Sequence, residues 1–279
     1  MWDGRENAPG RSIHDNLISQ ARDATLGHAQ ATASPTDSQL QQIVAFQMGL
    51  FTAQSKDNSA GPLEAQQATG GPVNLSSQNF YIGINDPLGL NPTGTPFDPN
   101  AFTLFKPWLN LATGNDQYIA ARQSIARGEQ LFNTKPIAIT GVAGINDVLG
   151  QATVNGTCTT CHDAPNVGDH SVSAPLNIGV TDGAPVAPLD VVGLPVFSLH
   201  CPGKTVLTTD PGRALVTGKC ADIGKTKGPI LRGLAARAPY FHNGSGATLM
   251  DVVNFYDKRF NIGLTAQERA DLAAALNAF

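Results

Sequence analysis

Cys158-Thr159-Thr160-Cys161-His162 is the stretch of this chain whose residue types and spacing carry the most definite chemistry. Two thiols three positions apart can each add to one of the two vinyl groups of a single porphyrin. The histidine that follows can coordinate the iron as its proximal ligand. This spacing reads as a c-type haem attachment site. Zinc would require two further ligands at ligand-like spacing. The other two cysteines, Cys201 and Cys220, stand 19 residues apart without a second C-x-x-C. A thioredoxin-type pair would need a strand–helix context, which the pattern here lacks. Haem c is attached outside the cytoplasm, where disulfides persist, so Cys201 and Cys220 are expected to pair; the alternative is two buried free thiols.

The elements that must position this motif are helical. Ser12 and Asp15 open a predicted helix over 12–30, with Ile13, Leu17, Ala21 and Ala24 at helical spacing. Thr36 and Gln39 open a second over 37–54, with Leu40, Ile43, Val44, Gln47 and Leu50/Phe51 along one stripe. Tyr118, Ala121, Ile125 and Phe132 mark a third over 116–133, interrupted at Gly128. Thr248 with Asp251, and Thr265 with Glu268, open two more over 248–260 and 265–278. Between them, 55–114 and 163–228 are crowded with Gly, Pro, Asn and Ser and read as loop. We expect 55–114 to be a connector wrapping the surface, pinned by Phe80, Tyr81, Phe102, Phe105 and Trp108. A helix before the haem motif and an amphipathic helix at the end, crossing each other with haem between loops, make the plan of a small cytochrome. The expected fold class is therefore all-α, a cytochrome c-like haem domain with long irregular loops.

Composition narrows the function classes. Of 279 residues only 14% are charged, while Gly numbers 29 and Pro 19, which suits a loop-rich globular protein and neither a coiled coil nor a helical bundle. The formal net charge of −4 offers no basic stripe for nucleic acid. No apolar run reaches the roughly 18 residues of a membrane span. The opening Met1-Trp2-Asp3-Gly4-Arg5 has neither a basic n-region nor an apolar h-region, so no signal peptide is read in it.

A family resemblance emerges downstream. Gly228-Pro229-Ile230-Leu231-Arg232-Gly233-Leu234, then Arg237-Ala238-Pro239-Tyr240-Phe241-His242-Asn243-Gly244, then Ala247-Thr248-Leu249, resembles the C-terminal haem domain of bacterial di-haem cytochrome c peroxidases and their MauG-type relatives. Asp210-Pro211-Gly212-Arg213-Ala214 and Arg127-Gly128-Glu129-Gln130-Leu131-Phe132 resemble two further landmarks. So does Trp2-Asp3-Gly4-Arg5 followed by Gln20-Ala21. The stretch 55–114 has no counterpart in the resemblance. The division implied is a partial N-terminal cytochrome c-like domain over 1–54, a loop-rich connector over 55–114 and a C-terminal haem domain over 115–279.

The resemblance implies two covalent haems, one handling peroxide and one relaying electrons. The reaction would reduce hydrogen peroxide with electrons from a redox protein or from a protein substrate, in the periplasm. Only one C-x-x-C-H is present, matching the C-terminal haem. The other normally precedes W-D-G-R, so Met1 is expected to be internal to a longer protein or a mis-called start. The alternative is a single-haem electron-transfer cytochrome.

Trp2 matches the tryptophan relay between the haems. Met250, Tyr256 and His242 compete for the second axial position. The family's distal ligand falls fourteen residues after the His of P-Y-F-H, which lands on Tyr256, as in MauG-type enzymes. Tyr256 also shares a helical face with Leu249, Val252 and Val253, where the plainer role is a core tyrosine. Tyrosinate favours ferric and higher iron states, where Met raises the potential. His242 is expected near the haem rim or a propionate. The family's peroxide-side acid aligns with Gln30, which cannot transfer protons; His28 is the nearest group that can, and Gln20 is expected beside Trp2. Backbone carbonyls at Arg237 and Pro239 match a family calcium site.

Overall fold

The computed structural model describes residues 5–6, 10–50, 52–167, 175–182, 189 and 191–279, and the structural statements below concern these. Near the start, α1 (Ile13–Asp23) packs on α2 (Asp37–Met48). Ser12 caps α1 by accepting the Asp15 N–H, and Thr36 with Gln39 forms a reciprocal capping box on α2. α1 runs on into a π-helical turn over Ala24–His28, so the helical stretch ends close to the expected boundary. α2 stops at Met48, short of 54, where Gly49 follows.

Residues 55–114 depart from the expected surface connector. They hold a small ribbon of β1 (Lys56–Asp57) and β2 (Gly61–Pro62), then α3 (Pro72–Ser77) and a 3-10 turn over Lys106–Asn110. Phe80 and Tyr81 remain at the surface, half-buried, but Phe102, Leu104, Phe105 and Trp108 enter the core. The phenyl ring of Phe102 lies 5.1 Å from Phe132 and 5.4 Å from Phe279, and Phe105 stacks on Trp108 at 4.8 Å. Burying each such ring contributes roughly 2–3 kcal/mol. Irregular backbone can be buried only if its polar groups are satisfied, and here the next helix supplies the partners. Glu129 accepts the Phe105 N–H at 3.0 and 3.1 Å, and Asn133 accepts from the N–H and donates to the carbonyl of Phe102.

That helix is α4 (Ile119–Thr134), which ends just before Pro136. It crosses the terminal helix α8 (Ala266–Ala278), which Thr265 and Glu268 cap reciprocally. The gap that Gly128 leaves in the apolar periodicity is the crossing point. A Cβ there would stand 1.9 Å from the Asp271 carbonyl oxygen. Ser124 and Arg127 of α4 also hydrogen-bond the buried Asp271 carboxylate. α7 (Leu249–Phe260) packs on α8 and carries the Thr248–Asp251 capping box.

The all-α expectation requires correction. Helices dominate, but two longer antiparallel ribbons accompany β1–β2. β3 (Ile137–Thr140) pairs with β4 (Thr153–Gly156), enclosing the short α5 (Asn146–Leu149). β5 (Phe197–Cys201) pairs with β6 (Lys204–Thr208), followed by α6 (Ala214–Thr217). The second ribbon lies in a stretch expected to be loop. Each pairs strands of four or five residues, at the short limit of the alternation that marks a strand in sequence. Cys201 and Cys220 form the expected disulfide, tying β5 to the turn after α6.

Candidate functional site

The β3–β4 ribbon delivers the chain to Cys158. Ile137 and Ile139 point inward from β3, and Gly156 closes β4. A side chain at Gly156 would meet Thr160 Oγ1 at 2.3 Å, so glycine lets the ribbon lie against the following turn. That turn is a 3-10 element over Cys158–Thr160, whose start is held by the Thr157 N–H donating to Thr160 Oγ1 at 3.0 Å. The N–H groups of Cys161 and His162 both donate to the Cys158 carbonyl. This tight turn sets the two thiols and the imidazole on successive positions of one loop. Cys158 and Cys161 are not joined to each other.

Burial dominates the electrostatics. It pushes both thiols up to about 12, and pulls His162 down to about 4, with the positive charge of Lys227 acting in the same direction. His162 is therefore a neutral imidazole at pH 7, the form that ligates a metal. Its ring lies 6.0 Å from Phe132 of α4. Tyr256, on α7, is pushed above the usual phenol range, first by burial and then by the sulfurs of Cys161 and Cys158. Its hydroxyl is thus within electrostatic reach of both thiols. Phe241 and Phe255 tilt or stand edge-on to the Tyr256 ring, and Phe260 stacks on it at 6.2 Å.

Cys158, Cys161, His162 and Tyr256 are half-buried by accessible surface yet strongly desolvated. Two free thiols, a neutral imidazole and a phenol within electrostatic reach of the thiols fit the donor set of a covalent haem.

The other expected residues fall in separate places. His242 follows Phe241 and pairs through Nδ1 with the Asp210 carboxylate, whose other oxygen accepts the Gly212 N–H at 2.8 Å. Spacing gave no sign of this pair, since Asp210 and His242 are 32 residues apart. Gln20 accepts a bond from Gln47 at 3.5 Å and shares with His28 a recess of about 250 Å³, lined also by Arg5, Glu6 and Asp23. Gln30, with φ 51°, is not among the residues lining it, nor is any residue of 158–162 or 240–256. Trp2 lies outside the described residues. Met250 is half-buried on the first turn of α7. Arg237 caps the 3-10 turn over Leu234–Ala236, with Pro239 two residues on. Among the described residues no three His, Cys, Asp or Glu side chains cluster as a metal site. Also among the described residues, no helix is long and apolar enough to cross a membrane.

Known proteins match parts of this chain. A family profile described as RoxA-like, cytochrome c-like matches residues 227–262, the span from the P-Y-F-H approach through Tyr256. The chain is 31% identical over 153 residues to cytochrome-c peroxidase IdrP1 of Pseudomonas sp. (strain SCT), covering 46% of this chain and 38% of the relative. It is 33% identical over 137 residues to cytochrome-c peroxidase IdrP2 of Denitromonas iodatirespirans, covering 45% and 36%. The chain thus spans little more than a third of the length of these curated relatives. A crystal structure of a MauG-like protein associated with microbial copper homeostasis aligns at 24% identity and TM-score 0.34, covering 60% of this chain and 44% of that one.

Proposed function

We propose that this chain is a haem c oxidoreductase of peroxidase type, of the bacterial di-haem cytochrome c peroxidase and MauG family, a reading supported by the cytochrome c-like profile over 227–262 and the likeness to cytochrome-c peroxidases. Hydrogen peroxide is the oxidant, and a redox protein or a protein substrate supplies the electrons. Cys158 and Cys161 anchor the haem as thioethers, His162 is the proximal ligand and Tyr256 the distal one. The observation that carries this reading is the tight Cys158–Cys161–His162 turn, with His162 held as a neutral imidazole and the buried Tyr256 within electrostatic reach of both sulfurs.

The bound haem supplies one-electron chemistry, and phenolate ligation biases it toward ferric and higher states. The residues of the chain do the rest. Phe241, Phe255 and Phe260 wall the Tyr256 ring and keep water from its face. Asp210 holds the His242 imidazole through Nδ1 and so fixes which ring nitrogen is left for the haem edge. We assign Trp2 the relay between haems, with Gln20 beside it. His28 is the proton-transferring group nearest the peroxide side, at the place where Gln30 cannot serve. A periplasmic location suits the Cys201–Cys220 disulfide. We keep the division into 1–54, 55–114 and 115–279, with a second haem expected from sequence upstream of 1–54 in the full-length protein.

A single-haem electron-transfer cytochrome is the second reading, favoured by the lone C-x-x-C-H. Intact mass and pyridine haemochrome, on protein expressed from its natural locus, separate the two. Two covalent haems support the peroxidase; one supports the carrier. Replacing Cys158 and Cys161 with Ala should abolish covalent haem, and retained haem would overturn the attachment site. Tyr256→Phe should change the ferric spectrum, and an unchanged spectrum would remove Tyr256 as ligand.

A further inference from the structure

The 55–114 stretch has no counterpart in the family resemblance, yet part of it reaches the haem motif. Asn85 Oδ1 accepts the Asp98 N–H at 2.7 Å, and its Nδ2 donates to the Asp98 carbonyl at 2.9 Å. The same Nδ2 donates to the carbonyl of Asp163 at 3.2 Å. Asp163 is fully buried and directly follows His162. At the other end of the loop, the Pro99 carbonyl accepts the hydroxyl of Thr159 at 2.9 Å. Thr159 is fully buried and lies between the two cysteines. The loop between these ends is self-supporting. Asn91 is buried and accepts from Thr93 and from the Tyr81 hydroxyl, and the buried Asp86 accepts the Leu88 N–H.

We propose that residues 85–99 form a brace for the haem-binding turn, in which Asn85 and Thr159 act as positioning residues for His162. The brace grips the turn on both sides of the axial ligand, at a residue within the C-x-x-C-H and at the residue just after it. A loop that merely connected domains would not place one side-chain donor and one backbone acceptor there. Asn85 sits at φ 53°, a left-handed conformation that Asn tolerates and most residues do not. Its donor arm is consequently aimed by the backbone and not by rotamer choice alone. Outer partners of this kind orient metal ligands and tune the metal. Releasing them loosens the turn, admits water beside His162 and favours the ferric state.

The proposal rests on the haem reading above, and its test separates the two. The full chain is expressed with covalent haem, and the midpoint potential and the ferrous iron–histidine stretch are measured. The stretch is recorded in a Tyr256→Phe background, where it is best resolved. Asn85→Asp keeps the acceptor for the Asp98 N–H and removes the donor to Asp163. Thr159→Val keeps the shape and removes the bond to Pro99; Thr159→Ser keeps the hydroxyl. Tyr81→Phe loosens the same loop without touching the motif.

Asn85→Asp and Thr159→Val should each raise the ferric-to-ferrous ratio at the wild-type midpoint by on the order of tenfold, the scale of outer-shell effects, and shift the stretch. Thr159→Ser and Tyr81→Phe should stay near wild type. Unchanged potential and stretch in Asn85→Asp and Thr159→Val would overturn the brace and leave the haem reading intact. Equal shifts in Tyr81→Phe would overturn it too, as general loosening. A wild-type chain without covalent haem would overturn both.

Discussion

α4 and α8 cross at Gly128 and bury their contact almost completely; α1 and α2 pack on each other and leave much of their apolar surface in water. In the first pair, Phe132, Ala275, Phe279 and the 102–108 segment make a continuous core, and the Asp271 carboxylate is held by Ser124 and Arg127 across the crossing. In the second, only Ala21, Leu40 and Val44 are buried, while Ile13 is 49%, Phe46 67% and Leu50 55% exposed. Both pairs have good caps, so capping does not distinguish them. The difference is a close approach of backbones. It is possible at Gly128, where no Cβ intervenes, and it brings enough neighbouring chain together to close a core. The pair whose α4 also packs on the haem-binding turn, through Phe132 beside His162, is the pair that closes a core.

The largest blow to that contrast is Gly128→Ala. Its Cβ would collide with backbone and not with a yielding side chain, so the helices must separate. We expect a loss of about 3 kcal/mol by chemical denaturation, at the upper end of overpacking costs, even though Ala favours helix by about 1 kcal/mol. A loss below about 1 kcal/mol would mean the crossing is not close-packed.

Next comes Glu129, whose burial raises its carboxyl from 4.5 to about 7, against the opposing pull of the N–H groups of Phe105 and its neighbours. The folded state therefore holds a proton that the unfolded state has already released between these values. Its contribution is fully present below pH 4.5 and is lost as pH rises through about 7. Stability of the wild type should fall by about 3 kcal/mol across that window. Glu129→Gln should flatten this part of the pH profile. An identical profile in the variant would show that Glu129 is ionised throughout.

The smallest effect is expected on α2. Phe46→Ser should change stability by no more than about 0.5 kcal/mol, as at other exposed sites. A loss several times larger in the same denaturation assay would erase the contrast, because the α1–α2 face would then have to be covered.

Much of the scaffold was legible before any coordinates. Thr36–Gln39, Thr248–Asp251 and Thr265–Glu268 all cap helices as their spacing indicated. These signals are local: each pairs residues three apart, within one turn. The β3–β4 and β5–β6 ribbons escaped because their register depends on partner strands and not on local pattern. Gly128 looked like a flaw in a helical stripe, and its meaning lay in α8, more than a hundred residues away. The same holds for the haem site. C-x-x-C-H could be read directly, but the Asp210 partner of His242 and the Asn85 bond to Asp163 could not.

The sequence by itself determined the chemistry of the attachment turn, because two thiols and an imidazole within five residues keep their mutual reach in almost any local conformation. It also determined the helices, whose caps and periodicity are satisfied within a few residues. Only the tertiary structure decided that the 102–108 segment enters the core and that Asn85 reaches the haem turn. It alone desolvated His162 and brought Tyr256 within electrostatic reach of the thiols. These outcomes depend on groups far apart in the chain. No local preference encodes them, and they exist only once burial has brought the partners together and excluded water.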